Sequence, residues 1–317
     1  MLDYPAARAI ALIVQTGSFD AAARRLGVTA SAISQRVRNL EERLGTALIE
    51  RGTPCRATET GALLCHHMEQ VSMLEQALMQ RLPELGDADA FRTSLSIATD
   101  ADSLASWFTE ALARFGTEGN CLLNITAQSS QDAADALRSG RVIAAVCALE
   151  RAIQGCSATP LGNLRYVAAA SPEFVLRHFA TGVTPETLAR APALCFDQKD
   201  QLQQGWVRSA IGQQVALPVH WLPSTHAFVD GCLGGLGWAL IPQIMVNDHL
   251  ASGRLVELVP GAPFDRPLCW QISRIFMPQL SELTQVVIRT ASATLVAPNA
   301  GASGGKAEAA SALHTDA

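Results

Sequence analysis

Five side chains that can donate or accept hydrogen bonds stand close together in one stretch of the chain: Ser31, Ser34, Gln35, Arg36 and Arg38. Read as a helix, they share the face opposite an apolar stripe and crowd towards its N-terminal end. Hydroxyls, a carboxamide and guanidiniums in that position are the groups that meet base edges and phosphates in a DNA major groove. Thr29 or Ser31 can cap this helix, and Thr29, just before the others, adds a hydroxyl to the same end. Arg51 and Arg56 follow around a Gly-Pro turn, where they would lie along the phosphate backbone and fix orientation rather than sequence. Each of these residues also occurs on ordinary solvated surfaces. Their coincidence with a helix-turn-helix pattern is what points to DNA.

A second set of polar residues sits where apolar runs end. Thr99, Asp100, Asp102 and Ser103 close one run, Ser129 and Ser130 another, and Asp197 a third. Ser224 and Thr225 precede a helix that contains Phe228. Ligands of open α/β sheets bind beyond the carboxyl ends of strands, at helix N-termini. Hydroxyls and backbone N–H groups there suit a carboxylate, and Asp102 or Asp197 suits an ammonium. Taken singly, each is a plain helix cap. Trp107, one turn after Ser103, is the tryptophan placed to serve as a ligand platform, whereas Trp206, Trp221, Trp238 and Trp270 read as core or interface. No G-x-S-x-G, H-E-x-x-H or P-loop pattern is present, and Gly235-Leu236-Gly237-Trp238 follows a helix instead of opening one. His66 and His67 are adjacent, diverge, and read as exposed. The chain is therefore expected to be no enzyme, with no catalytic residues, no metal and no cofactor.

The elements that must position these groups are legible from periodicity. A first helix falls within Leu2 to Thr16. Ser18 caps a second, with Phe19, Ala22, Ala23 and Leu26 at helical spacing, and Gly27 stops it. Ile33, Val37, Leu40 and Leu44 give the third helix its apolar stripe. Ala47 to Ala57 reads as a short β-wing. Thr58 caps a long helix to about residue 82, with Leu64, Val71 and Leu78 at heptad spacing and Met68, Leu74 and Leu82 beside them. A coiled coil between two chains is the expected use of that stripe. Pro83 to Ala90 reads as a hinge.

Beyond the hinge, short apolar runs alternate with helical patterns, which implies a mostly parallel sheet covered by helices. The expected division is a winged helix-turn-helix, mostly α, over 1–58, and a linker helix with hinge over 59–90. An α/β two-lobed domain like the periplasmic binding proteins follows over 91–296. Its lobe I covers about 91–163 and 268–296, and lobe II about 164–267, with crossovers near Gly162-Asn163 and between Pro263 and Pro267. Residues 297–317 are Ala/Gly/Ser-rich and read as a disordered tail.

The run from Ala21 to Arg51, A-A-A-R-R-L-G-V-T-A-S-A-I-S-Q-R-V-R-N-L-E-E-R-L-G-T-A-L-I-E-R, is similar to the N-terminal domain of LysR-type transcriptional regulators. Later stretches, A-D-S-L-A-S-W at 101–107 and A-F-V at 227–229 before I-P at 241–242, resemble the arginine- and lysine-responsive branch, the ArgP, LysG and chromosome-initiation-inhibitor group. The resemblance covers about residues 3 to 295 and implies an effector domain, amino-acid transport or metabolism genes as targets, and a homodimer or homotetramer. It is incomplete at the ligand site. Asp100 replaces the branch's Asn, Gln128-Ser129-Ser130 replaces an acidic E-D-E, and His226 replaces a Glu. A neutral amino acid thus stands beside arginine and lysine as the expected effector.

The bulk properties agree. A chain of 317 residues suits two or three domains. Residues 1–60 hold eight arginines against six acids, while the whole chain carries −5, so a slightly basic head sits on an acidic body. The eight cysteines show neither C-x-x-C nor zinc spacing and read as reduced thiols. The N-terminus lacks a secretory pattern, and no apolar stretch is long enough to span a membrane, so the cytoplasm is the expected compartment. The readings weighed against a regulator are a solute-binding or enzymatic two-lobed protein and an effector-independent nucleoid or replication-origin binder.

Overall fold

The computed structural model describes residues 2–81, 93–118, 121–148 and 151–297. Leu82, the expected hinge and the expected tail from Pro298 on lie outside the described residues.

Three helices open the chain: α1 (Tyr4–Thr16), α2 (Phe19–Leu26) and α3 (Ala30–Leu44). Asp3, Ser18 and Thr29 cap them through their side chains, and Gly27 takes the left-handed conformation, φ 66°, that turns α2 into α3. Ile10, Ile13, Ala22, Ile33, Val37, Leu40 and Leu48 form one small core. Leu44 departs from the expected stripe and is 48% exposed. Gly45 ends the helix immediately after it, so its turn projects past that core. Strands β1 (Ile49–Glu50) and β2 (Arg56–Ala57) pair antiparallel as the wing. The Glu41 carboxylate accepts from the N–H groups of Leu48 (2.8 Å) and Ile49 (3.3 Å), which fastens the wing to α3.

Helix α4 (Glu59–Arg81) leaves the wing at once. The Thr58 hydroxyl donates to the Ala47 carbonyl and accepts from Gly61 N–H. Leu64 packs on the reader core, while Met73 enters the core of the C-terminal half. The expected heptad is therefore divided: Leu64 is turned inward, and among the described residues Leu63, Leu74 and Leu78 are the large apolar side chains that face outward, each about half exposed. His66 corrects the sequence reading too. It is buried, with Nε2 2.7 Å from Gln70 Nε2 and Nδ1 3.4 Å from Glu69. The cause is that α4 lies against strand β3, where the Ser96 hydroxyl donates to Glu69 at 3.0 Å.

The C-terminal half is built on one seven-stranded sheet in the order β10-β6-β11-β5-β3-β4, with β9 also paired to β6. Strands β3 (Thr93–Thr99), β4 (Cys121–Ala127) and β5 (Ala144–Cys147) run parallel. The long β6 (Cys156–Ala170) and β11 (Phe264–Ser273) run antiparallel to each other, and β9 (Ala239–Pro242) and β10 (Val256–Glu257) are antiparallel to β6. The sheet is thus mixed, not mostly parallel, because both crossover segments are strands of it. Strands β7 (Ala193–Cys195) and β8 (Val219–Trp221) form a separate parallel pair. Near the chain's end, Val296 N–H and carbonyl bond Asn163 at 3.0 and 2.8 Å, strapping the last helix to β6 at the crossing.

Helices cover both faces. After β3 come α5 (Ala101–Ser103), a π-helical turn (Leu104–Phe108) and α6 (Thr109–Glu118); after β4 comes α7 (Ser130–Arg138). On the other side of the crossing lie α8 (Pro172–His178), α9 (Pro185–Leu188), α10 (Leu202–Ile211), α11 (Thr225–Leu233) and α12 (Gln243–Ala251), and α13 (Ser281–Thr294) returns to the first half. No described helix is long and apolar enough to cross a membrane. None of the eight cysteines is in a disulfide.

Candidate functional site

The strand ends converge on a cleft of about 640 Å³ between the two halves. Asp100, Asp102, Ser129, Ser130 and Asp197, all named from sequence, line it. The other named residues do not. Thr99 is fully buried at the end of β3, and the Ser103 hydroxyl is turned to Asp100. Ser224 is an exposed cap for Ala227 N–H. Trp107 is 1% exposed and packs edge-on against Phe108 in the large core, so the expected platform is an interior side chain. It lies one helical turn beyond Ser103, on the same inward face.

The first acidic loop is held by its own hydrogen bonds. Asp100 accepts from Ser103 N–H and from the Ser103 hydroxyl, both at 2.8 Å. Asp102 reaches further. Its carboxylate accepts from the Tyr166 hydroxyl of β6 at 2.9 Å and from the Thr225 hydroxyl of α11 at 2.7 Å. It thereby ties the first half to the second across the cleft. Burial, with the neighbouring Asp100, pushes the Asp102 carboxyl up to about 6; the two hydroxyls and Arg266 only partly oppose this. On the far side, Asp197 accepts from Lys199 and Asp200 N–H, and Asp200 from Phe196 and Leu202 N–H. That turn presents Asp197, Lys199 and Asp200 to the cleft.

Several lining residues were not found from sequence as site residues. Phe196, Phe228, Phe264 and Leu202 supply apolar wall, and Asp132 adds a carboxylate. The most consequential omission is Arg266 on β11, whose Nη2 donates to the Ser130 hydroxyl at 3.2 Å. Five carboxylates (Asp100, Asp102, Asp132, Asp197, Asp200) thus line the cleft against two cations, Lys199 and Arg266. A cavity with aromatic walls and excess negative charge suits a small cation-bearing molecule.

At the other end of the molecule, Thr29, Ser31, Gln35, Arg36 and Arg38 are exposed on α3 and Ser34 is half-buried beside them. The Thr29 hydroxyl caps Ala32 N–H at 3.2 Å and lies 3.0 Å from the Ser31 hydroxyl. Gln35 donates to Asn39 at 2.7 Å, which holds its amide along the helix surface. Arg51 and Arg56 are exposed on the wing, with the Arg51 guanidinium 5.2 Å from the Phe19 ring centre.

Two family models match this arrangement: the bacterial regulatory helix-turn-helix protein, lysR family, over residues 6–62, and the LysR substrate binding domain over residues 88–288. The chain belongs to the LysR family. The regulator ArgP of Pseudomonas fluorescens is 40% identical over 296 residues, covering 93% of this chain and 98% of that protein. A crystal structure of ArgP from Mycobacterium tuberculosis is 36% identical, with a TM-score of 0.71, over 94% of this chain and 100% of that one. Full-length LysG from Corynebacterium glutamicum, solved with bound effector Arg, is 28% identical with a TM-score of 0.62, covering 93% of this chain and 100% of its own. This LysR-family member is a DNA-binding transcription regulator with an effector-binding half, and not an enzyme. That sets aside the solute-binding and enzymatic readings.

In a LysR regulator the exposed face of α3 has a definite prediction. Gln35→Ala should cost about 1–3 kcal/mol of operator binding and relax base preference, whereas Arg51→Ala should weaken all sequences alike and flatten the salt dependence. Footprinting with binding at several salt concentrations separates the two; unchanged specificity in Gln35→Ala would remove that residue from the base-reading set.

Proposed function

We propose that this regulator responds to a basic amino acid, arginine or lysine, and controls genes of amino-acid transport or metabolism. The observation that carries the reading is the cleft: five carboxylates and three phenylalanine rings about a cavity the size of a small molecule. The LysG structure with bound Arg supports it from a relative. The acids missing at Gln128, Ser129 and Ser130 are replaced in kind by Asp100, Asp132 and the Asp197–Asp200 turn. The protein works in the cytoplasm as a homodimer or homotetramer, with the exposed Leu63, Leu74 and Leu78 on α4 facing another chain. Two readers then address double-stranded DNA at half-sites about one turn, roughly 34 Å, apart.

Asp102 gives the effector something to act on, since it joins the halves through Thr225. A ligand that favours one arrangement of the halves shifts the DNA-binding population by its difference in affinity for the two. Calorimetry of the full chain with all common amino acids tests the reading. Binding confined to arginine and lysine, with a changed operator footprint, is expected. A response to aromatic or sugar acids alone would overturn it, and DNA binding indifferent to every small molecule would favour an effector-independent architectural protein.

A further inference from the structure

We infer that Arg266 receives the effector's α-carboxylate and Gln128 its α-ammonium, so that the side chain points towards the Asp197–Asp200 turn. This rests on the amino-acid reading above and adds to it an orientation and two recognition residues.

Arg266 is held by its acidic neighbours Asp100 and Asp102 and also faces the cleft, where it can meet an anionic end of the ligand. It lines a cleft dominated by carboxylates. For a purely cationic ligand it would be a source of repulsion. Its strand, β11, is one of the two that cross between the halves, so its backbone is held by pairing with β6. Burial alone would lower its pKa, but Tyr166, Asp100 and Asp102 reverse that and keep it charged. A guanidinium has five N–H donors in a fixed fork that matches a carboxylate. One of them meets the Ser130 hydroxyl, which also accepts from Ala148 N–H at 3.0 Å. The hydroxyl is thereby held, and Arg266 with it.

Gln128 supplies the complementary observation. It lines the same cleft, one residue before Ser129, and its side-chain Oε1 is enclosed with no hydrogen-bond partner. A buried acceptor left unmade is costly and rare. An ammonium in the cleft satisfies it once the amide turns to face the ligand. Asp100 and Asp102 are engaged within the protein, Asp100 by Ser103 and Asp102 by Tyr166 and Thr225. This moves the ammonium from Asp102 or Asp197, the two places the sequence offered, to Gln128. On the Asp197–Asp200 turn both backbone bonds of Asp197 fall on one oxygen, which leaves its other oxygen for the charged end of the side chain.

The test compares ligands that differ at one group. Full-length protein is titrated by calorimetry with arginine, with agmatine, which lacks only the carboxylate, and with argininamide, which neutralises it. The wild type should prefer arginine to either by about 100-fold, the scale of a lost buried charge pair. Arg266→Met should lower arginine affinity by about that factor and leave agmatine binding undiminished or tighter, erasing the preference; retained agmatine binding also reports an intact fold. Gln128→Leu should weaken arginine and agmatine together by about tenfold. Should Arg266→Met not fold, the wild-type comparison with argininamide decides alone. Equal binding of arginine, agmatine and argininamide by the wild type, or an Arg266→Met variant that keeps the preference, overturns the orientation and leaves the effector class standing. A wild type that binds no basic ligand overturns both.

Discussion

Valine in place of Gly61 is expected to abolish operator binding and to destabilise the reader by about 3 kcal/mol or more. A Cβ at this position would run into the Leu48 carbonyl, a backbone atom with no side-chain freedom to yield. Leu48 is itself buried in the reader core, and its N–H is bonded to Glu41 on the recognition helix. Its carbonyl also accepts from Thr58 N–H. Displacing it therefore disturbs the wing, the recognition helix and the start of α4 together. Thermal unfolding and a mobility shift on the same preparation check this. A variant with wild-type melting and wild-type shift would mean that α4 does not approach the wing this closely.

The second large effect is a dependence on pH set by Asp102. Its carboxyl is raised to about 6 in the folded protein, against 3.8 for an ordinary aspartate. Between those values the folded chain binds a proton that the unfolded chain has released. Stability from this group is thus fully present below about pH 4 and is lost as pH rises through 6. The loss approaches about 3 kcal/mol. Asp102→Asn removes the titration. Its side-chain oxygen still accepts from Thr225, and its amide donates to the Tyr166 oxygen in place of the present bond. The variant should be more stable than wild type at pH 7.5 by up to about 3 kcal/mol and indistinguishable from it at pH 4. Denaturant unfolding at both pH values gives the answer, and a constant difference between the two proteins would show that Asp102 does not titrate in this range.

The reader was legible in the sequence because its determinants are local. Caps at Ser18 and Thr29, the left-handed Gly27 and the spacing of Ile33, Val37 and Leu40 each declare themselves within a few residues. The effector half was legible as alternation but not as topology. Pro160, Gly162 and Asn163 have the composition of a turn, yet they lie within the 15 residues of β6. What makes them strand is pairing with β11, about a hundred residues away, with a register shift between Leu268 and Cys269 that accommodates Pro160. The same distance hid Arg266. Between Pro263 and Pro267 it reads as loop, and no local pattern announces that its side chain enters the cleft. The stripe on α4 is only partly legible for a related reason: heptad spacing shows that a face is apolar but not which neighbour covers it, and the reader takes Leu64 for itself.

The paired crossing of β6 and β11 has a mechanical consequence. Two bodies joined by one flexible chain can turn about three axes. Joined by two strands lying side by side, hydrogen-bonded from Phe264 opposite Tyr166 to Ser273 opposite Cys156, they share a line of attachment. The Arg165–Asp265 ion pair, with contacts of 2.8 and 2.7 Å, bolts the strands together just where they pass between the halves. The strap of Val296 on Asn163 pins the same spot from the other side. Such a joint removes twist and shear and keeps one rotation, opening and closing about the pin. An amino acid gripped from both sides of the cleft then works at a distance from that axis, as a hand works a door far from its hinge, so a small displacement at the ligand is an angle, and the angle is the message.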